Sequence, residues 1–291
     1  MKIPFEERLE YYLGDINWGD KPPKSFDLDP FDLPFELDPN KTILSRRHYD
    51  KDILRLTYLS AKRKLWFCCG DKPYCGSNFP VITKTRDTFN LESKGVIGNL
   101  NSGRHWDIFH EEPKWEDKVP SIYWRGADTG HNLHLNPRVD FVQEFFGKFD
   151  VGFSDYSQNQ KQKYYLYKKE WLLGFSSRAD FLAHKYLPII DGNDKSSSLN
   201  WALYSNSVPI MPKPRYHSWT CEKHLLSNVH YIEVKRDFSD LEEKVEWLKD
   251  NDKKAKEIAE NGKEFIIKNF TDMEQEREIE KALLDKIETH L

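Results

Sequence analysis

The segment from His184 to Leu241, HKYLPIIDGNDKSSSLNWALYSNSVPIMPKPRYHSWTCEKHLLSNVHYIEVKRDFSDL, constrains the fold more than any other part of the chain. An apolar run, Leu187 to Ile190, stops at Asp191-Gly192. The polar triplet Ser196-Ser197-Ser198 then opens a short helical segment, Leu199 to Tyr204. A second apolar run follows at Val208 to Met211, and a third at His230 to Val234. Strand, turn, helix and strand in this order is the grammar of a parallel sheet, because parallel neighbours need a crossover between them. Ligands of such sheets bind beyond the carboxyl ends of the strands, which is where Asp191 to Ser198 falls.

The rest of the chain extends this pattern. Thr42 to Ala61 carries Ile43, Ile53, Leu54 and Tyr58 as the apolar points of a helix. Leu65 to Cys69 and Phe79 to Thr83 read as short buried strands, ending at Gly70-Asp71 and at Lys84-Thr85-Arg86-Asp87. Residues 91–118 read as loop. Ser121 to Trp124 is a strand that ends at Arg125-Gly126. Asn136-Pro137 opens a helix whose apolar face holds Val142, Phe145 and Phe146, and Gly147 closes it. Asp150 to Phe153 reads as a strand and Ala179 to Tyr186 as a helix. Ser239 and Glu242 form a capping box for a helix carrying Leu241, Val245 and Leu248. A further helix holds Ala255, Ile258, Ala259, Phe265 and Ile266. Thr271 and Glu274 cap the last, with Ile279, Leu283 and Ile287 as its stripe. The expected fold is α/β, with two Rossmann-like domains over residues 1–118 and 119–270. A final helix, 271–291, can return to the first domain.

Composition excludes several classes. The 44 basic and 48 acidic residues give a net charge of −4, without the basic footprint that binding a phosphate backbone requires, so no nucleic-acid partner is expected. Aromatic residues are 14% of the chain, enough for core packing and also for flat faces that meet a sugar or a base. Cys68, Cys69, Cys75 and Cys221 have neither zinc spacing nor a dense disulfide pattern. The first residues lack the apolar core of a signal peptide, and no run approaches the ~18 apolar residues of a membrane span. The expectation is a soluble, cytoplasmic chain.

Several motifs then line up. They are Trp124-Arg125-Gly126, Lys185-Tyr186 with Asp191-Gly192 close behind, and Val208-Pro209-Ile210. His230-Tyr231-Ile232-Glu233-Val234-Lys235-Arg236-Asp237-Phe238-Ser239-Asp240-Leu241 is the most specific, and Ile258-Ala259-Glu260-Asn261-Gly262 follows it. Weaker matches lie at Asp71-Lys72-Pro73, Lys84-Thr85 and Trp106-Asp107-Ile108-Phe109. In order and spacing these resemble glycosyltransferase family 90, which includes the Rumi-type protein O-glucosyltransferases and the fungal capsule xylosyltransferases. The resemblance spans roughly residues 65–270 and implies a GT-B fold, in which the two domains face each other across a cleft. It also implies an inverting, metal-independent transfer from a UDP-sugar to a glycan or glycoprotein acceptor, forming a β-linkage. UDP-xylose is slightly favoured over UDP-glucose as donor, and no cofactor is expected. Because secreted members carry disulfides and a leader, the resemblance points to a microbial or viral member. A non-catalytic carbohydrate-binding relative is the alternative.

Inverting transfer needs a carboxylate to take the proton of the acceptor hydroxyl, and positive groups to receive the leaving diphosphate. Asp87, after a strand and near the Lys84-Thr85 match, is the first choice for the base, and Asp71 the second. The competing readings are a surface aspartate and a turn residue. Arg125 is the first choice for the diphosphate, and a structural salt bridge is its alternative. Gly126, Asp191, Gly192, Ser196 and Ser198 complete the expected donor site, although the serines also suit simple N-capping and Asp191 a turn. The resemblance places an arginine at the position of Ser198, so Lys195, Arg178 and Arg236 are candidates to replace it, each against the reading of a solvated charge. No metal site is expected. Asp27-Leu28-Asp29 has a DxD pattern but lies in a Pro-rich arm that includes Phe26, Phe31 and Phe35, and His131 and His134 lack neighbouring ligands.

Overall fold

The computed structural model describes residues 2–14, 18–19, 35–36, 49–62, 65–71, 73–76, 78–130, 137–156 and 168–290. The Asp27-Leu28-Asp29 triplet, the Phe26 and Phe31 anchors, the His131/His134 pair and the Asn136 cap lie outside the described residues, as does the side chain of Phe35. The chain divides into two compact units. One comprises Met1–Asp107, Arg215–His224 and Ile267–Leu291, and the other Ile108–Pro214 and Leu225–Ile266.

The first unit contains α1 (Phe5–Leu13), β1 (Phe35–Glu36), α2 (Asp50–Leu59), β2 (Trp66–Cys68), β3 (Val81–Thr83), β4 (Thr85–Asp87), β5 (Val96–Ile97) and α3 (Ser102–His105). From later in the chain it takes β10 (Tyr216–Ser218) and α9 (Met273–Glu288), numbered by their place in the sequence. Its main sheet has the order β1-β2-β3-β5, parallel except for β1. Phe67, Val81, Ile82, Val96 and Ile97 are almost fully buried, so these strands are apolar on both faces, as covered parallel strands must be. A second ribbon pairs β4 with β10 in antiparallel register, Asp87 opposite Tyr216. Helix α1 docks through Arg8, which is fully buried. Its Nη1 donates to Glu276 Oε1 at 2.7 Å and to the Asn269 carbonyl at 2.6 Å. Trp219 Nε1 donates to the other oxygen of Glu276 at 2.6 Å, and Tyr12 stacks on Trp219 with ring centroids 4.0 Å apart. A buried charge is tolerable only with this degree of pairing.

The second unit runs β6 (Val119–Ala127), α4 (Pro137–Phe145), β7 (Asp150–Asp155), α5 (Arg178–Leu182), β8 (His184–Pro188), α6 (Leu199–Tyr204), β9 (Val208–Met211), β11 (Ile232–Glu233), α7 (Leu241–Asp250) and α8 (Asp252–Phe270, to Ile266 in this unit). Its five strands are all parallel, in the order β11-β9-β8-β6-β7. Counted within the unit, that is 2-1-3-4-5 read from the β7 edge. The chain therefore reverses direction across the sheet between β6 and β8, and the carboxyl ends of those two strands form the topological switch point. Ile122, Trp124, Val151, Phe153, Tyr186, Val208, Ile210 and Ile232 from the strands pack with Phe141, Val142, Phe145, Leu241, Val245, Leu248, Ala255, Ile258 and Ala259 from the helices. Each large side chain removed from water in this way contributes roughly 1.5–3 kcal/mol before entropy is subtracted.

The α/β character and the parallel, Rossmann-like sheets agree with the expectation from sequence. Local differences have physical causes. The helix expected over Ala179–Tyr186 stops at Leu182, because His184 to Tyr186 join the sheet, with Tyr186 opposite Ile122 on one side and Val208 on the other. A capping box, Ser177 with Asp180, opens that helix instead. The box expected at Ser239 and Glu242 is absent. Helix α7 starts at Leu241, and the Asp240 carboxylate turns back to accept the Lys235 N–H at 2.8 Å. At α9 the cap is Asp272, accepting from the N–H groups of Glu274 and Gln275, while Thr271 Oγ1 donates back to the Ile267 carbonyl. Residues 91–118 are not all loop, since they contain β5, α3 and a 3-10 turn at Trp115–Asp117. Among the described residues, no helix is long and apolar enough to cross a membrane.

Candidate active site

In the second unit, the loop after β8 returns beneath its own strand end. The Asp191 carboxylate accepts the Ser196 N–H at 3.1 Å, and the Gly192 N–H donates to the Asp194 carbonyl at 3.0 Å. Ser196 and Ser198 share a hydroxyl hydrogen bond of 2.8 Å immediately before α6. Lys195 is buried and donates to Asn200 Oδ1 at 2.6 Å. Asn193 is buried too, and its Oδ1 makes no hydrogen bond among the described residues. Burial pushes the Asp191 carboxyl up to about 6. The Ser196 N–H opposes that rise, Asp194 adds to it, and Arg138 and Arg236 oppose it. Arg236 donates to the Lys213 carbonyl at 2.9 Å, just past β9. Asp191, Gly192, Lys195, Ser196, Ser198 and Arg236 thus come together at the carboxyl ends of the strands.

Arg138 joins them, although nothing in the sequence marks it. It sits in the first turn of α4. Its Nη1 donates to the Ala127 carbonyl at 3.0 Å and to Thr129 Oγ1 at 2.7 Å, and its Nε and Nη2 donate to the Ile190 carbonyl at 3.3 and 3.1 Å. One side chain therefore links the ends of β6 and β8. A Cβ built at Gly192 would lie 2.6 Å from Thr129 Oγ1 and 3.2 Å from Arg138 Cζ, so a larger residue here would have to displace these side chains.

Two expected donor residues lie elsewhere in the unit. The Arg125 guanidinium donates to the Trp124 and Asp150 carbonyls, pairs with the Asp150 carboxylate and lies over the Tyr123 ring. Asp150 is the first residue of β7, so Arg125 reaches back toward the amino end of the sheet. Arg178 starts α5 and lies over the Trp201 ring, 5.6 Å from its centroid. Gly126 remains at the end of β6, at an irregularity in its register with β7.

Both candidate bases belong to the first unit. Asp71 follows β2, and its Oδ1 accepts from Lys84 Nζ at 2.7 Å, just past the end of β3. The Arg104 guanidinium is 4.0 Å from its other oxygen, and the Asp71 side chain is 37% exposed. Asp87 is 9% exposed and paired in bidentate fashion with Arg215, Nε to Oδ1 at 2.8 Å and Nη2 to Oδ2 at 2.6 Å. Its Oδ1 also accepts the Phe89 N–H at 3.0 Å. Among the described residues, no group of three or more His, Cys, Asp or Glu side chains is placed to hold a metal ion.

The model of glycosyl transferase family 90 matches residues 103–279. The chain belongs to glycosyltransferase family 90. The family 90 match takes in all five strands of the second unit and the whole Asp191–Ser198 loop, whereas Asp71 and Asp87 lie outside it. Among similar proteins, the O-glucosyltransferase LpsA of Dichelobacter nodosus is 30% identical over 189 residues, covering 64% of this chain and 55% of that protein. Protein O-glucosyltransferase 2 of Danio rerio is 30% identical over 203 residues, 66% of this chain and 37% of that one. Protein O-glucosyltransferase 3 of Homo sapiens is 30% identical over 199 residues, 65% and 36%. This family 90 chain spans about half the length of the bacterial relative and little more than a third of the vertebrate ones.

Proposed function

We propose that this chain transfers a sugar from a UDP-sugar to a hydroxyl of a glycan or glycoprotein, inverting the anomeric centre without a divalent metal. The observation that carries this reading is the Asp191–Ser198 loop, set at the switch point of a parallel sheet and inside the residues that match family 90. A diphosphate at this place meets loop N–H groups, the Ser196 and Ser198 hydroxyls and the Arg236 guanidinium, all suited to a leaving group that gains negative charge. The two units are taken as the halves of a GT-B enzyme, with the donor on the second and the base on the first. The names of the relatives support glucose as the transferred sugar ahead of xylose.

In the transfer, the acceptor oxygen attacks C1 of the sugar while its proton passes to a carboxylate. The new C1–O bond forms as the bond from C1 to the phosphate oxygen breaks, and UDP leaves with the electron pair. For the base we favour Asp71 over Asp87. A base needs a lone pair that the acceptor can reach. Asp71 is the more exposed carboxylate, at the carboxyl edge of its sheet, whereas both oxygens of Asp87 accept from Arg215.

The test is UDP release from UDP-glucose and UDP-xylose, with acceptor glycans, in the presence and absence of EDTA. Release that is unchanged by EDTA supports the reading. A chain that binds glycan but neither binds nor releases UDP is instead the carbohydrate-binding relative.

A further inference from the structure

We infer that Phe89 is the acceptor platform of this chain, a fixed aromatic face on which a sugar ring of the acceptor glycan stacks. The inference rests on the transfer reading above, with Asp71 as its base, and names what that reading leaves open, the group that holds the acceptor. Three observations carry it. First, Phe89 and Leu91 are 60% and 90% exposed, two large apolar side chains at the tip of one loop, between β4 and β5. Single exposed apolar residues are ordinary, whereas a pair on one tip marks a contact surface. Second, the tip is pinned. Asp87 Oδ1 accepts the Phe89 N–H at 3.0 Å, and Thr88 donates to the Arg215 carbonyl from its N–H at 3.0 Å and from its hydroxyl at 2.7 Å. The Arg215 guanidinium, held by both oxygens of Asp87, lies over the Phe89 ring, 5.4 Å from its centroid. A ligand that meets the exposed side of this ring therefore has little left to order. Third, the loop is bonded to the chain after β2, which carries the Asp71 base. Cys75 and Ser93 form an antiparallel bridge, and Asn90 Nδ2 donates to Cys75 Sγ at 3.3 Å. The Lys94 N–H donates to the Tyr74 carbonyl at 3.1 Å. A sugar ring offers C–H groups to a flat apolar face and hydroxyls to polar neighbours, here Thr88, Asn90 and Arg215. An apolar peptide side chain instead seeks a pocket, and Phe89 and Leu91 project from a tip.

The experiment follows UDP release by the full chain with UDP-glucose and UDP-xylose as donors and cellotetraose, xylotetraose, mannotetraose and chitotetraose as acceptors. The wild type is compared with Phe89→Tyr, Phe89→Leu and Phe89→Ser, with melting temperatures recorded for each. The expected result is that Phe89→Leu and Phe89→Ser raise the KM of the best acceptor about 10-fold, the weight of one stacked ring, with kcat within about threefold. Phe89→Tyr keeps the ring and is expected to keep the acceptor KM within about threefold. A wild-type acceptor KM in Phe89→Leu overturns the inference, and if Phe89→Ser alone raises it, the contact is apolar but is not a stacked sugar. A fall in kcat with no change in KM also overturns it, since that marks a loop that only supports the base. A wild type that releases UDP but is accelerated by none of the four sugars overturns the inference and leaves the donor reading standing. Release from neither donor overturns the transfer reading and this inference with it.

Discussion

Asp71 and Lys84 form an ion pair of 2.7 Å just beyond the carboxyl ends of two neighbouring parallel strands, β2 and β3. The lysine is buried and the carboxylate is more than one-third exposed. Such a pair holds an ionised oxygen at a sheet edge without enclosing it, which is the requirement for a base that acts on an incoming hydroxyl.

Asp71→Asn is therefore expected to lower turnover by roughly 10²- to 10⁴-fold, the usual worth of general-base help, with UDP affinity unchanged. Asp87→Asn is expected to act mainly on stability, because it leaves Arg215 without its bidentate partner. Initial rates of UDP release, measured beside urea unfolding for both variants, separate the two. Near-normal turnover in Asp71→Asn would return the role to Asp87.

The Asp191 carboxyl gives a pH prediction. Its pKa is about 6 in the folded chain, against about 3.9 for an unperturbed aspartate. The folded state thus binds this proton more tightly than the unfolded state does. The stability contributed by the neutral form is complete below about pH 4 and is lost as pH rises through about 6. The loss is on the order of 2–3 kcal/mol. Asp191→Asn removes it, so this variant should gain stability relative to the wild type between pH 4.5 and 7.5. Urea midpoints whose difference does not move with pH in that direction would contradict the assignment.

Arg8 and Glu276 should be strongly coupled. Arg8→Leu leaves Glu276 buried without its ion pair, a change that costs about 3–5 kcal/mol. Replacing both by leucine should recover a large part of that loss, because no uncompensated charge remains. A double-mutant cycle of unfolding free energies measures the coupling, and simple additivity would show that the pair does not act as one unit.

Gly192→Ala tests the close approach of the loop. The added methyl meets Thr129 Oγ1, and overpacking of this kind costs about 1–3 kcal/mol. UDP affinity should fall along with stability. Thr129→Ala in the same chain removes the nearest atom and should restore part of both. Wild-type melting and UDP binding in Gly192→Ala alone would show that the loop has more room than the contacts indicate.

Much of the second unit, and the last helix of the first, is legible from residue order. The bounds of α6 and β9 follow directly from apolar runs punctuated by Ser and by Asp-Gly, and the α9 stripe at Ile279, Leu283 and Ile287 is buried as its spacing requires. The strand at His184 to Tyr186 is not legible, because a short apolar run preceded by Phe181 and Leu182 fits a helical period equally well. Arg138 carries no signal either. An arginine in the first turn of a helix normally reads as a solvated charge, and its bonds to the Ala127 and Ile190 carbonyls depend on which strand ends lie beside it.

By itself, the sequence determined the alternation of strands and helices, the parallel α/β class and the position of the Asp191–Ser198 loop beyond a strand, since apolar period and turn residues act over a few positions. Which charges meet was decided only by tertiary structure. Asp87 pairs with a residue 128 positions away, through the β4–β10 register. Arg125 is drawn to the start of β7, while Arg138 occupies the switch point. Periodicity reports which face of an element is buried. It does not report what stands opposite, and the partner of a charge is set by strand order and register across the whole sheet.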